Sequence, residues 1–404
     1  MKIERPLIQL ISTTLLSSLL IMASSFLLAR LLSVEDRGTL LLFVTSTTYL
    51  ATLGTGGVGF ALTLSMRQRQ YQYWQGYIIA FLLYGLLASY IGLSFTEFQP
   101  FAFLFILNVG LTAIFNITLE KSKIDANMAV YRLLVLQQPF LSVLCYGLCY
   151  VIWGQQALDV VLGLLTFVAL LQALFCLYYL AHIARKFQQQ HQQLDKIQAK
   201  FFLTTWVKQN LFQLFGATVV NLDKFMIALL MNHYVLGLYA VCLAFDALIT
   251  RFINSLADYY YSGLLNQVNR LKTVLAVILV LTIGVIVVVP LLAAPVIKFF
   301  FGESYLEVAP LLLWFMLNAI IAGLGWLLSQ NMLILGKQPA LLLRQMLSIL
   351  VFCGLFYLFQ SYQLLGVAYA LLGASVVRLI ISIIYYYKYP VLWKKSAYSR
   401  PTLK

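Results

Sequence analysis

The chain has 404 residues, 62% of them hydrophobic and only 10% charged, with a formal net charge of +14. Soluble proteins carry about 45–50% apolar and about 25% charged residues, so this chain lacks the polar surface to cover itself in water. Nine stretches of 22 to 33 residues hold no charge at all, and about 20 apolar residues in helical form cross a bilayer, which excludes soluble enzymes, secreted disulfide scaffolds and nucleic-acid binders.

The pattern predicts an all-α polytopic membrane protein with twelve spans. In the first half these fall near 7–29, 39–64, 76–95, 101–119, 133–152 and 160–182. The first stretch is too long for a cleavable signal and ends at Arg30 rather than at a small-residue cleavage site. Arg30, Glu35, Asp36 and Arg37 then form a mixed-charge turn, read as solvated loop charges or as an outer gate. Gly54, Gly56, Gly57 and Gly59 cluster in the second span. Such a cluster weakens a helix and lets another backbone approach closely, so it marks either tight packing or a gating bend. The remaining spans of this half offer mainly amides: Asn108, Asn116, Gln137, Gln138 and Gln172.

A Gln-rich segment, KFQQQHQQLDKIQAKFF from Lys186 to Phe202, separates the halves. Phe187, Leu194, Ile197 and Phe201 recur at helical spacing, which suggests a linker helix lying on the membrane surface. The organisation expected is an N-terminal lobe over 1–183, a linker over 184–205, a C-terminal lobe over 206–388 and a basic tail over 389–404.

Spans of the second half fall near 206–230, 234–262, 273–295, 308–330, 346–361 and 364–387. Charges inside spans are costly and normally face the protein interior. Lys224 shares a polar stripe with Asn210, Gln213 and Asn221, while Asp223 points away from it and requires a partner on another helix. Lys224 either lines an interior path or snorkels to the interface. Arg251 continues into Asn254, Ser255 and Asp258 on one face; Asp246, five residues earlier, is poorly placed to pair with it. Asp246 is therefore either an interhelical hydrogen-bond partner or a protonatable coupling group. Arg378 interrupts the last span with Ser375, Ser382 and Tyr385 on its face. Pro139, Pro290 and Pro295 are candidate kinks, and Tyr259–Tyr261 and Tyr385–Tyr387 read as interfacial belts.

All five cysteines fall inside spans and read as apolar packers. His182, His191 and His233 show no ligand spacing, and no phosphate-cradling loop or nucleophile elbow is present, so neither a cofactor nor a metal is expected.

With both termini inside, 21 of the 27 basic residues are cytoplasmic, Arg344 among them, and three (Arg30, Arg37 and Lys298) lie outside. That bias supports the span number and orientation, and anionic headgroups account for the net charge without a nucleic-acid partner. A weak repeat relates the halves. ARLLSVEDRG from Ala29 and ALLMNHYVLG from Ala228 match at an offset of 199, pairing Ala29 with Ala228, Leu31 with Leu230 and Gly38 with Gly237. Six spans per half return the chain to its starting side, so the repeats are parallel.

FLLARLLSVEDRGTL, LATLGTGGVGFAL, NLDKFMIALL, VLGLYAVCLAFDAL and FFGESYLEVAPLLL, in this order, resemble bacterial polysaccharide-biosynthesis flippases. These are the lipid-linked oligosaccharide translocases of the multidrug/oligosaccharidyl-lipid/polysaccharide exporter superfamily. The resemblance implies two six-helix lobes around a central cavity and alternating access in the bacterial cytoplasmic (inner) membrane. It implies an undecaprenyl-diphosphate-linked glycan as substrate, with membrane lipids, a polysaccharide polymerase and glycosyltransferases as partners. On that basis Lys224, Arg251, Arg378 and Asn221 are the expected substrate-binding residues and Asp246 and Asp223 the ion-coupling ones. Arg30, Arg37, Gly54, Gly56 and Gly57 are the expected gating residues. The alternative is an ion-coupled multidrug or metabolite antiporter of the same superfamily. A membrane glycosyltransferase or polymerase would need catalytic acids on larger outer loops than this chain has.

Overall fold

The computed structural model describes residues 5–68, 70–123, 128–189, 195–265 and 268–389. Arg69, His191 and the basic tail from residue 390 onward lie outside the described residues. The described chain forms α1 (Arg5–Leu31), α2 (Val34–Thr55), α3 (Val58–Arg67), α4 (Trp74–Leu93), α5 (Ala102–Ser122), α6 (Ala129–Trp153) and α7 (Leu158–Gln189). It continues with α8 (Ala199–Leu230), α9 (His233–Leu265), α10 (Leu271–Phe300), α11 (Leu312–Ile334), α12 (Gln338–Phe359) and α13 (Gln363–Lys388). Among the described residues eleven segments are long and apolar enough to cross a membrane, α2 and α3 forming one broken segment; they become the twelve expected when the 50-residue stretch Pro339–Lys388 is divided into α12 and α13. Pro139 sits inside α6, and Pro290 and Pro295 sit inside α10.

Packing divides the chain after Gly237, within α9. The sequence division at residue 206 assigns α8 to the second half, whereas α8 packs on α2 and α3 and falls in the first unit. In that unit Phe43 packs edge-on against Phe98 and Phe105, and Phe202 and Trp206 pack on Phe81. In the second unit α13 lies against α11 and α12. Small residues on α13 (Gly366, Ala368, Ala370 and Ala374) are buried there, as close helix approach in a bilayer requires.

The linker departs from expectation. No separate surface helix forms among its described residues; α7 runs to Gln189, and Asp195–Lys196 (β2) pairs in parallel with Gln70–Gln72 (β1). Of the four apolar residues read at helical spacing, Leu194 and the side chain of Phe187 lie outside the described residues, Phe201 is half-buried, and Ile197 is buried in the core of the first unit beside Phe202.

The charged turn after α1 is also more ordered than a solvated loop. Ser33 caps α2: its Oγ accepts from the Asp36 amide at 3.1 Å and donates to the Asp36 carboxylate at 2.7 Å. Glu35 and Asp36 thus sit where a helix N-terminus favours negative charge. Arg37 is only 3% exposed and donates from Nη2 to Ser25 Oγ on α1 at 2.7 Å. It is a buried cross-brace, because α2 begins early enough to turn it inward.

The same design recurs 199 residues later. Asn232 caps α9, its Oδ1 accepting from the Val235 amide at 2.8 Å, and 33 and 36 plus the offset give 232 and 235. The ends of α1 and α8 and the starts of α2 and α9 obey the same offset. The two helix starts meet reciprocally. A Cβ on Gly38 would collide with the His233 carbonyl, and one on Gly237 would collide with the Val34 carbonyl. Glycine is required at both positions because two backbones touch there.

Candidate functional site

The polar groups within the spans gather in two places, one in each unit. In the first unit they surround the broken helix. Gly57 adopts φ +79°, a left-handed conformation that favours glycine, and α2 stops two residues before it. A helix end leaves carbonyls without intrahelical partners. Asn210 on α8 supplies them with a donor: its Nδ2 lies 2.9 Å from Thr52 O, 3.2 Å from Leu53 O and 3.0 Å from Gly56 O. Beyond the break, the Glu120 carboxylate on α5 accepts from the Phe60 amide in the first turn of α3 at 3.0 Å and from Gln213 Nε2 on α8. Gly54 and Gly59 allow the tight approaches around it, the first against Gly85 of α4 and the second against Ile117 and Glu120 of α5. Gly54 and Gly59 thus pack, as the tight-packing reading of the glycine cluster expects, while Gly56 and Gly57 lie at a break in the helix.

The α8 stripe faces this neighbourhood. Asn210 and Gln213 serve the break, and the Tyr49 hydroxyl lies 3.1 Å from Thr218 Oγ1. Lys224 is 9% exposed, donates to Val220 O at 2.7 Å and lies 3.4 Å from the Asp223 carboxylate. Asp223 was expected to point away; the lysine's flexible stem brings its ammonium back to the neighbouring side chain instead. Asn221 Nδ2 donates to Ala217 O within its own helix at 2.9 Å. Arg30 is exposed in the last turn of α1, and Asn108 bonds Thr166 at 2.7 Å as a structural link between α5 and α7.

The second unit holds the arginines. Arg378 on α13 is half-buried and donates to Ser375 Oγ at 3.4 Å; Asp246 on α9 is its electrostatic partner. Asp246 also accepts from Thr250 Oγ1 at 3.3 Å. Arg251, Asn254, Ser255 and Asp258 keep the shared face read from their spacing, and Asn254, Ser255 and Asp258 are exposed on it.

Arg344 was placed in a cytoplasmic loop by the sequence, and that placement is corrected. It lies in the second turn of α12 and is 6% exposed. Its Nη1 donates to Gly325 O at 3.0 Å, to Ser382 Oγ at 2.9 Å and to Ser329 Oγ. One guanidinium thereby ties α11, α12 and α13 together. It also lies close enough to Arg378 for the two charges to repel. The loop assignment followed from counting charge-free stretches, in which an arginine always reads as a boundary. The missed signal is Ser329 and Ser382 on neighbouring spans.

Solved structures were compared with this architecture. An inward-facing multidrug resistance MATE family transporter of the MOP superfamily superposes with a TM-score of 0.64 at 12% identity, over 94% of this chain and 96% of that one. A Vibrio cholerae MATE transporter superposes with a TM-score of 0.55 at 12% identity, over 95% and 93% of the two chains. The chain has the MATE fold. No protein-family model and no curated protein matches its sequence. Within this fold α1 carries no acidic residue in its described length; Glu35, Asp36 and Asp159 lie in the first turns of their helices, and the acids further along the described spans are Glu120, Asp223, Asp246 and Asp258. Among the described residues no group of three or more His, Cys, Asp or Glu side chains is arranged to hold a metal ion.

Proposed function

We propose that this protein is a membrane transporter that moves an anionic, lipid-linked glycan across the bacterial cytoplasmic membrane by alternating access, with both termini cytoplasmic. The MATE fold over nearly the whole chain supports transport. The substrate class rests on one observation: Arg344 is buried within the spans, beside a second arginine, with no carboxylate paired to it among the described residues. A buried charge is tolerated when something of opposite sign visits it. An undecaprenyl-diphosphate-linked oligosaccharide would bring that charge, its polar glycan needing shelter while the prenyl tail stays in lipid. Arg378, Arg251, Lys224 and Asn221 are the further side chains assigned to the path. Asp246 and Asp223 are the candidate coupling carboxylates.

The second reading, an ion-coupled multidrug antiporter, is favoured by the multidrug resistance transporter among the fold neighbours. Deleting the gene separates the two. The flippase reading expects loss of surface polysaccharide and lipid-linked repeat units retained on the cytoplasmic leaflet. Normal polysaccharide together with increased drug sensitivity assigns the antiporter.

A further inference from the structure

The polar cluster around Arg344 has more donors than its surroundings can use. Nη1 is engaged by three oxygens, but among the described residues nothing accepts from Nε, which is buried, or from Nη2. Nε and Nη2 form the side-on edge of a guanidinium, the edge that grips a carboxylate or phosphate with two parallel hydrogen bonds. Arg378 Nε is likewise buried without an acceptor. Among the described residues the acidic group acting on this pair is Asp246, and it acts on Arg378.

Depth places the two arginines in series. Arg344 lies six residues into α12, Ser382 six residues before the end of α13, and Ser329 five before the end of α11. All three therefore sit about 8–9 Å in from one end of the bundle. Ser382 Oγ donates to Arg378 O at 2.8 Å, and four residues separate them, so the Arg378 backbone sits about one helical turn, roughly 6 Å, deeper. Ser375 and Asn318, joined at 2.7 Å, continue the polar line past it.

We propose that Arg344 and Arg378 form an anion site in the C-terminal unit that takes a phosphate-class group, with Arg344 fixed by Gly325, Ser329 and Ser382 so that its Nε–Nη2 edge is presented to the anion. Ser329 and Ser382 act here as positioning residues: they hold one nitrogen and leave the fork free. The site lies less than two helical turns in from one end of α11–α13, and the phosphate-class group could come from a phospholipid headgroup or from a phosphate-bearing solute. Its role in moving a lipid-linked glycan rests on the function proposed above, but the binding itself does not.

The test uses the full chain in nanodiscs, with sodium pyrophosphate and inorganic phosphate as probes at matched ionic strength. In neutral phosphatidylcholine discs, the unfolding midpoint should rise saturably with pyrophosphate and not with chloride. Arg344→Gln should abolish the rise, and Arg378→Gln and Arg344→Lys should each weaken binding roughly tenfold or more, the usual scale for losing a charge-assisted hydrogen bond. Stabilisation by phosphatidylglycerol discs with no response to pyrophosphate assigns the same site to a bilayer headgroup. No saturable response to pyrophosphate, phosphate or phosphatidylglycerol overturns the proposal, as does an undiminished response in Arg344→Gln. If Arg344→Gln does not fold, Arg378→Gln at its half-buried position decides in the same way. A chain that binds pyrophosphate yet exports drugs keeps the site and loses the glycan reading. One that sustains glycan export without binding any probe does the reverse.

Discussion

Asn210 concentrates an unusual amount of work in one side chain, because its amide reaches three carbonyls at the break in the second span, of which Thr52 O also accepts from the Gly56 amide. Asn210→Ala should lower stability by about 1–3 kcal/mol, the cost of leaving buried polar groups unsatisfied, read as a lower unfolding midpoint in detergent. Gly57→Ala should cost a similar amount, about 1–3 kcal/mol, by forcing a Cβ into the left-handed region. At Glu120, alanine removes the acceptor of both the Phe60 amide and Gln213, whereas glutamine keeps a carbonyl oxygen there. Glu120→Ala should therefore destabilise more than Glu120→Gln in the same assay; equal losses would mean that the negative charge, not the acceptor, holds this junction. At this scale the sequence was only partly legible. It marked Gly54, Gly56, Gly57 and Asn210 by composition and spacing, since glycines and amides in a span are conspicuous. It could not show that α8 offers Asn210 to the broken helix, because that pairing joins residues more than 150 positions apart.

Helices rather than residues carry the reciprocal contact between α2 and α9. Each helix start is set by its own cap, and each glycine admits the other helix's first carbonyl. Gly38→Ala should push the two starts apart. With native cysteines removed, Val34→Cys, buried beside this contact in the parent, should react faster with a water-soluble maleimide when Gly38→Ala is present, and Gly237→Ala should have the same effect. Unchanged labelling in both would show that the seam absorbs a methyl group. Span boundaries and the repeat offset were readable because apolar runs and turn residues are local signals. Arg344 was not, since a charge in the second turn of α12 looks in one dimension like the end of a loop. At Ile197 the amphipathic spacing was ambiguous for a related reason: it states that one face is buried, not whether lipid or protein buries it.

Across the whole molecule, the offset of 199 residues relates the corner from the end of α1 to Gly38 with the corner from the end of α8 to Gly237. Parallel repeats of this kind require both halves to enter the membrane from one side. Reporters fused to the N-terminus, to the 190–194 segment and to the C-terminus should accordingly all score cytoplasmic; a split result would break the parallel relation. The all-α, many-span character was legible from nine charge-free stretches and their basic flanks, and the two-lobe architecture only from the resemblance of short motifs, whereas the balance of charge inside each unit required three dimensions. The glycine seam has a further consequence. In a contact where one position touches another and is touched back, two separate copies of a single ancestral six-helix chain would have met through identical surfaces. Any substitution in that ancestor struck the junction twice. Once one gene encoded both copies, each side could drift alone: serine persists as the cap on one side and asparagine on the other, and an arginine stands where its counterpart is leucine. The two glycines match across the offset, at the positions where opposing backbone leaves no room for a Cβ.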